Sequence, residues 1–250
     1  MKSLLGWFAC CFVLLALPAY AAPPQLRVMS YNIHHGEGTD AKFDLERIAK
    51  IIVDSQADVV ALQEVDVKTK RASGVDQAAK LGELTKGKIA FGAAMPFSGG
   101  EYGGAILSRW PVTIRKVHQL PQEKQREPRI AIEAVIKPDN GLPEFVFVST
   151  HFCHQSETTR TAQAEKLNQL LPEKDGPPVV LAGDFNASYD SPTLKTLRAA
   201  RWRDTASHDN VIDYIFVRPQ DAWRVVETKT LPEPVASDHL PIVTLLEWTK

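Results

Sequence analysis

A chain of 250 residues with 44% apolar residues, 24% charged residues and a formal net charge of −1 has the composition of a folded globular protein. The near-neutral balance excludes a global electrostatic pull toward nucleic acid or an anionic membrane and leaves a local basic groove open. The sequence carries no internal repeat, low-complexity tract or heptad run.

In chain order, the first feature is Lys2 ahead of an apolar run from Leu4 to Leu17, followed by Pro18, Ala19, Tyr20 and Ala21. A positive start, an apolar middle and an Ala-x-Ala end are the parts of an export leader, with cleavage expected after Ala21. The run falls short of the about 20 residues that span a bilayer, which counts against an uncleaved anchor. A lipid-bearing Cys10 or Cys11 would have too short an apolar segment before it. Residues 1–21 are therefore read as a signal peptide and 22–250 as one domain, periplasmic or secreted. Cleavage would remove Cys10 and Cys11 and leave Cys153, so an ordinary core and no internal disulfide is expected. Cys153 stands beside His151 and His154, but no third orienting group lies near enough in sequence to suggest a Cys-His nucleophile.

Beyond the leader, strands are expected at 25–32, 58–64, 104–108, 130–136, 145–150, 179–184, 212–217, 223–228 and 242–248, where β-branched apolar runs stop abruptly at polar residues. Helical spacing appears at 43–55, with Leu45, Ile48, Ile51 and Ile52 on one face and Asp40 or Asp44 near its start, and again at 74–86 and 156–171. Ser191 and Pro192 open a further short helix. So many strands with few helices suit an α/β fold with two sheets packed face to face and helices outside.

The informative residues stand where the strands stop: Asn32, Glu64, His151, Asp184 with Asn186, Asp213, and Asp238 with His239. Singly, each has an ordinary reading: Asn32 as a turn cap, Glu64 as a solvated loop entry, His239 as a surface histidine. Together they form a set of oxygen donors and imidazoles at positions where α/β folds gather ligands. A buried carboxylate such as Asp184 needs a partner to be tolerated, and oxygen donors of this kind suit Mg²⁺, Mn²⁺ or Ca²⁺ better than zinc.

The segments Ser30-Tyr31-Asn32-Ile33, Leu62-Gln63-Glu64, Ser149-Thr150-His151, Gly183-Asp184-Phe185-Asn186, Ile212-Asp213-Tyr214-Ile215-Phe216 and Ser237-Asp238-His239 follow one another in that order. In this they resemble the endonuclease/exonuclease/phosphatase family, which includes deoxyribonuclease-like nucleases, inositol-phosphate phosphatases and bacterial sphingomyelinases. The resemblance runs from about residue 26 to the C-terminus. It implies a four-layer α/β/β/α sandwich, so that 22–250 would be a single catalytic domain. It implies metal binding by Glu64, with Asn32 and Asp238, and catalytic roles for His151, Asp184, Asn186, Asp213 and His239. Asp184 would act as base, water-orienting group or second-metal ligand. His239 would face the phosphate with Asp213 behind it, and His151 would bind phosphate or give a proton to the leaving oxygen. Arg129, His34 and Arg71 are expected at the substrate rim, each with a surface ion pair or solvated loop as the plain alternative.

The expected activity is metal-dependent hydrolysis of a phosphoester by water, with Mg²⁺ or Mn²⁺ as cofactor and no protein partner needed by a monomer. Phosphodiesters lead, nucleic acid slightly ahead of lipid. Lys68, Lys70, Arg71, Arg115, Lys116, Lys124 and Arg126 would make a modest basic patch, and Met95-Pro96-Phe97 a possible lipid-facing tip. The alternatives are a phospholipid or sphingomyelin phosphodiesterase, an inositol-phosphate phosphatase, and a binding module of the same fold without turnover.

Overall fold

Two parallel strand pairs organise the molecule, one at the heart of each of two sheets. The computed structural model of the chain describes residues 22–171, 176–205 and 212–250; the expected leader at 1–21 lies outside the described residues. Strand β1 (Gln25–Asn32) leads through helix α1 (Leu45–Ser55) into β2 (Val59–Val67), and β1 and β2 run parallel. Helix α2 (Gln77–Thr85), β3 (Lys88–Phe97), β4 (Gly100–Ser108), β5 (Val112–Gln119) and β6 (Ile130–Ile136) follow. The arrangement then repeats: β7 (Phe145–His151) leads through α3 (Glu157–Leu170) into a parallel β8 (Val179–Asp184). Helix α4 (Pro192–Ala199) and strands β9 (Arg203–Asp204), β10 (Asp213–Arg218), β11 (Trp223–Thr230) and β12 (Ile242–Trp248) complete the described chain. The first sheet has the order β11-β12-β1-β2-β4-β3 and the second β5-β6-β7-β8-β10-β9.

Strand alternation builds the layers. On one face of the first sheet Leu26, Val28, Val59, Ala61 and Ile106 meet Phe145, Phe147, Val180, Ala182, Ile215 and Val217 of the second in a shared core. On its other face Met29, Tyr31, Val60 and Leu62 receive Ile48, Ile52 and Leu81 from α1 and α2. The outer face of the second sheet, with Val146, Val148, Leu181 and Phe216, is covered by Ala164, Leu167, Leu194 and Leu197 of α3 and α4. The result is the α/β/β/α sandwich expected from the sequence. Helix starts follow from their caps: the side chains of Asp44, Asp76, Ser156 and Ser191 each accept a backbone N–H three residues on. The true helices therefore begin one to three residues later than helical spacing alone suggested.

Strands β3, β5 and β9 had no counterpart in the expected set. Strand β3 is built on small residues (Ala90, Gly92, Ala93, Ala94) that give little apolar contrast, β5 is an edge strand with exposed Arg115 and Lys116, and β9 spans two residues. The inward faces of the central strands change character toward one end. Val28 gives way to Ser30 and Asn32, Ala61 to Gln63, Phe147 to Ser149 and His151, Ala182 to Asp184, and Ile215 to Asp213. Because β1, β2, β7 and β8 point the same way within their pairs, the carboxyl ends of two parallel pairs supply the polar side chains.

Candidate active site

Strand register places three candidate residues on one rung. Asp184 is directly opposite His151 in β7 and directly opposite Asp213 in β10, so all three project from adjacent strand ends toward the other sheet. Gly183 permits this closeness, since a Cβ there would stand 2.1 Å from the Thr150 carbonyl oxygen. Asp184 is 1% exposed, and its two oxygens are fully engaged. Oδ1 accepts the backbone N–H of Asn186 at 2.8 Å, with Asn186 held in the left-handed region at φ 49°. Oδ2 accepts Nδ2 of Asn32 at 3.2 Å and faces Nε2 of His151 at 3.4 Å and Nε2 of His239 at 3.6 Å.

His239 is oriented by two neighbours. Its Nδ1 meets Oδ2 of Asp213 at 2.8 Å, and its backbone N–H donates to Ser237 Oγ, which donates in turn to the Asn32 carbonyl at 2.8 Å. Burial opposes charge on His239, but Asp213, Asp184 and Asp238 outweigh it and push its pKa up to about 9. Burial also pushes Asp184 up to about 7, with help from Asp213 and against His239, the Asn186 N–H and Asn32. Asp213 is likewise raised by burial and restrained by its bond to His239.

His151 is set differently. Nη1 of Arg129 donates to its Nδ1 at 2.8 Å, and burial followed by the charges of Arg129 and His239 holds its pKa well below the ordinary imidazole value. Arg129 is 4% exposed; it also donates through Nη2 to Nδ1 of His154 at 3.1 Å and pairs with Glu127 at 2.8 Å. Nδ2 of Asn186 comes within 3.1 Å of His151 Nε2 and donates to the Phe152 carbonyl.

Glu64 reaches the site through a break in alternation. The pairing of β2 with β4 shifts between Leu62 and Val65, and Glu64 has φ 57°. Its Oε1 accepts the other contact of Asn32 Nδ2 at 3.0 Å, while Asn32 Oδ1 accepts the His34 N–H at 3.0 Å. Glu64, Asp184, Asn186, Asp238, His151 and His239 line one open cleft of about 320 Å³. Arg129, His34 and Arg71 line it too, while Asn32 and Asp213 brace its floor from behind. The residues named from the sequence for catalysis, metal binding and the substrate rim thus stand at one place.

The opposite wall was foreseen only in part. Tyr102, Glu127 and His154 also line the cleft, and so do Met95 and Phe97, which were expected at a lipid-facing loop tip and lie instead at the end of β3. Arg71 lies over the Phe97 ring at 4.6 Å and the Tyr102 ring at 5.5 Å, and donates through Nε and Nη2 to the fully buried Asp66 at 2.6 and 2.9 Å. His154 and Glu127 each stand within three residues of a foreseen residue, a proximity that offered a signal. His35, next to His34 in the short 3₁₀ turn His34–Gly36, sits outside the cleft lining.

Two groupings of these side chains have ligands for a cation. Asp184, Asp213 and His239 offer atoms within 4.8 Å of one another. In that trio the His239 and Asp213 atoms already share a proton at hydrogen-bond distance, which a metal would have to displace. Glu64 and Asp238 present carboxylates to the cleft, and Asn32 Oδ1 keeps a second lone pair beyond its bond to His34, so this all-oxygen set fits a hard divalent cation better.

Residues 29–239 match the Endonuclease/Exonuclease/phosphatase family. The chain belongs to that family. It is a hydrolase by that membership, and the solved structures it resembles share its fold. The endonuclease/exonuclease/phosphatase protein of Beutenbergia cavernae is similar with a TM-score of 0.75 at 24% identity, covering 90% of this chain and 72% of that one. The mannosyl-6-phosphatase of Bacteroides thetaiotaomicron is similar with a TM-score of 0.69 at 20% identity, covering 89% of this chain and 100% of that one. In sequence, the uncharacterized protein YbhP of Escherichia coli (strain K12) is 24% identical over 207 residues, 78% of this chain and 76% of that protein.

Proposed function

We propose that the protein is a metal-assisted phosphoester hydrolase in which water attacks phosphorus beside Asp184. The observation that carries this reading is the convergence of both imidazole Nε2 atoms on one oxygen of Asp184, at 3.4 and 3.6 Å, in a cleft that Glu64 and Asp238 also face. A carboxyl group whose pKa lies near 7 is suited to accept a proton from water at neutral pH. His239, charged because Asp213 stands behind it, is placed to offset negative charge on a phosphoryl oxygen as it develops. Asn186 Nδ2 adds a neutral donor beside it. Glu64, Asp238 and Asn32 would hold the cation, Mg²⁺ or Mn²⁺ by their oxygen chemistry, with Ca²⁺ as a further candidate. When bound, the cation would supply charge neutralisation at a phosphoryl oxygen.

Phosphodiesters remain the favoured substrate class, with nucleic acid ahead of lipid headgroups. A second reading, a phosphomonoester on a sugar or inositol ring, is favoured by one observation. Of the seven basic residues counted as a patch, Arg71 alone lines the cleft, while Arg115 faces Glu133 and Glu144, and Arg126 faces Glu123. The mannosyl-6-phosphatase relative points the same way. The test is a panel of bis-p-nitrophenyl phosphate, single-stranded DNA and RNA, sphingomyelin, inositol phosphates and hexose 6-phosphates, with Mg²⁺ or Mn²⁺ and with EDTA. Hydrolysis abolished by EDTA is expected; hydrolysis indifferent to EDTA removes the cation from the mechanism. Export through residues 1–21 belongs to the same proposal, and N-terminal sequencing of the mature protein checks it.

A further inference from the structure

The two histidines that face Asp184 are backed by groups of opposite charge. Behind His239 stands the carboxylate of Asp213; behind His151 stands the guanidinium of Arg129. A guanidinium has only N–H groups to offer and keeps its proton at any physiological pH, so the ring nitrogen it touches has to be an acceptor. Nδ1 of His151 therefore carries the lone pair, and the single ring proton is left on Nε2, the nitrogen turned toward Asp184. The 3.1 Å approach of Asn186 Nδ2 to that same nitrogen is then a meeting of two donors, and the amide's hydrogen bond goes to the Phe152 carbonyl at 3.1 Å. Two donors side by side at the cleft floor, His151 Nε2–H and Asn186 Nδ2–H, want one acceptor between them.

Arg129 is built to hold this arrangement. It is 4% exposed, and its three recorded partners, His151, His154 and Glu127, fix both terminal nitrogens. Its backbone is tied as well, through Leu120 N–H to the Arg129 carbonyl at 2.9 Å, and β6 begins with the next residue. Its Nε is left without a partner among the described residues, but with both terminal nitrogens engaged the guanidinium is poorly placed to turn toward substrate.

We propose that Arg129 is a positioning residue that fixes His151 as the neutral imidazole with its proton on Nε2, so that His151 hydrogen-bonds a phosphoryl oxygen but does not transfer a proton to the leaving group. The clause about the phosphoryl oxygen rests on the hydrolase reading above; the clause about the proton's place does not. Charge and proton traffic then fall to His239 and Asp184, and the site has one cationic and one neutral imidazole on the same carboxylate oxygen.

The test is ¹⁵N NMR of His151 in the full-length protein, assigned with His151→Asn, alongside kinetics of Arg129→Lys and Arg129→Met. The expected wild-type signature is a lone-pair-bearing Nδ1 with a protonated Nε2 at neutral pH, kept in Arg129→Lys and lost to a tautomer mixture in Arg129→Met. Arg129→Met should lower kcat about 10-fold or more with a smaller change in KM, and adding His151→Asn should cost little further. A protonated Nδ1 in the wild type, or a signature unchanged in Arg129→Met, overturns the proposal. If Arg129→Met does not fold, the wild-type and Arg129→Lys spectra still decide it. An absent activity with the expected spectrum would sink the hydrolase reading and leave the role of Arg129 standing.

Discussion

Nδ1 of His239 lies 2.8 Å from Oδ2 of Asp213, and the far side of the same ring faces Asp184 at 3.6 Å. The imidazole is thereby held between two buried carboxylates, which explains both its raised pKa and its fixed direction.

Activity should follow a bell. Hydrolysis needing ionised Asp184 and charged His239 rises as pH passes about 7 and falls as it passes about 9. Asp213→Asn removes the negative charge behind His239, so the alkaline limb should move to lower pH. A kcat profile whose alkaline limb stays in place in that variant would detach Asp213 from the charge on His239. His239→Ala should lower kcat by more than about 100-fold, whereas an effect confined to KM would indicate uniform binding.

Stability carries the same sign. The folded pKa of His239 lies above its ordinary 6.5, so its contribution is full below about 6.5 and is lost as pH climbs to about 9. Asp184, also raised, loses its contribution between its ordinary 3.8 and about 7. In EDTA, Tm should therefore decline from pH 6.5 to 9, and the decline should flatten in His239→Gln. An equal decline in both proteins would place its cause elsewhere.

Glu64→Gln keeps the shape of the side chain and removes its charge. Turnover should drop by about 100-fold or more, and the response to added Mg²⁺ or Mn²⁺ should weaken, with the fold intact by circular dichroism. Full turnover with an unaltered metal titration would take Glu64 out of the ligand set.

Arg71 and Asp66 form a pair whose carboxylate is fully buried, with Thr69 Oγ1 as a further donor at 2.6 Å. Arg71→Ala leaves that charge unpaired and should cost about 3 kcal/mol in denaturant unfolding. Adding Asp66→Asn should recover much of the loss. Recovery of stability without recovery of KM would assign the Arg71, Phe97 and Tyr102 wall to substrate.

Gly183→Ala tests the rung itself. A methyl group aimed at the Thr150 carbonyl must push β7 and β8 apart beside His151 and Asp184. Displacement of about 1 Å can cost about 100-fold in rate, so kcat should fall together with Tm, and an unchanged kcat would mean that the strands reseat without moving either side chain.

The parts of this molecule that could be read from sequence are those where an apolar strand ends in a group too polar to be buried without reason. Asp184 after Val179–Gly183 and His151 after Phe145–Thr150 are of that kind. Strand β3 escaped because Ala and Gly blur the contrast between faces, and β5 because an edge strand needs little apolar surface. Tyr102 gave no signal in the sequence, since nothing local reveals that its ring meets Arg71. Asp66 drew no notice: a carboxylate one rung from Val65 and Val67 looks solvated until its partner five residues later is seen folding back over it. The opposite charges behind the two imidazoles also needed coordinates, because Arg129 and Asp213 stand 22 and 26 residues away in sequence from the rings they touch.

The bulge at Glu64 has an arithmetical outcome. Up to Leu62, even-numbered side chains of β2 turn toward the helices; from Val65 onward, odd-numbered ones do. Glu64 is the residue left over when the count changes parity. Were one amino acid deleted there, every neighbour would keep its chemistry while the glutamate's place in the cleft vanished, so this position should tolerate a change of letter more readily than a change of length.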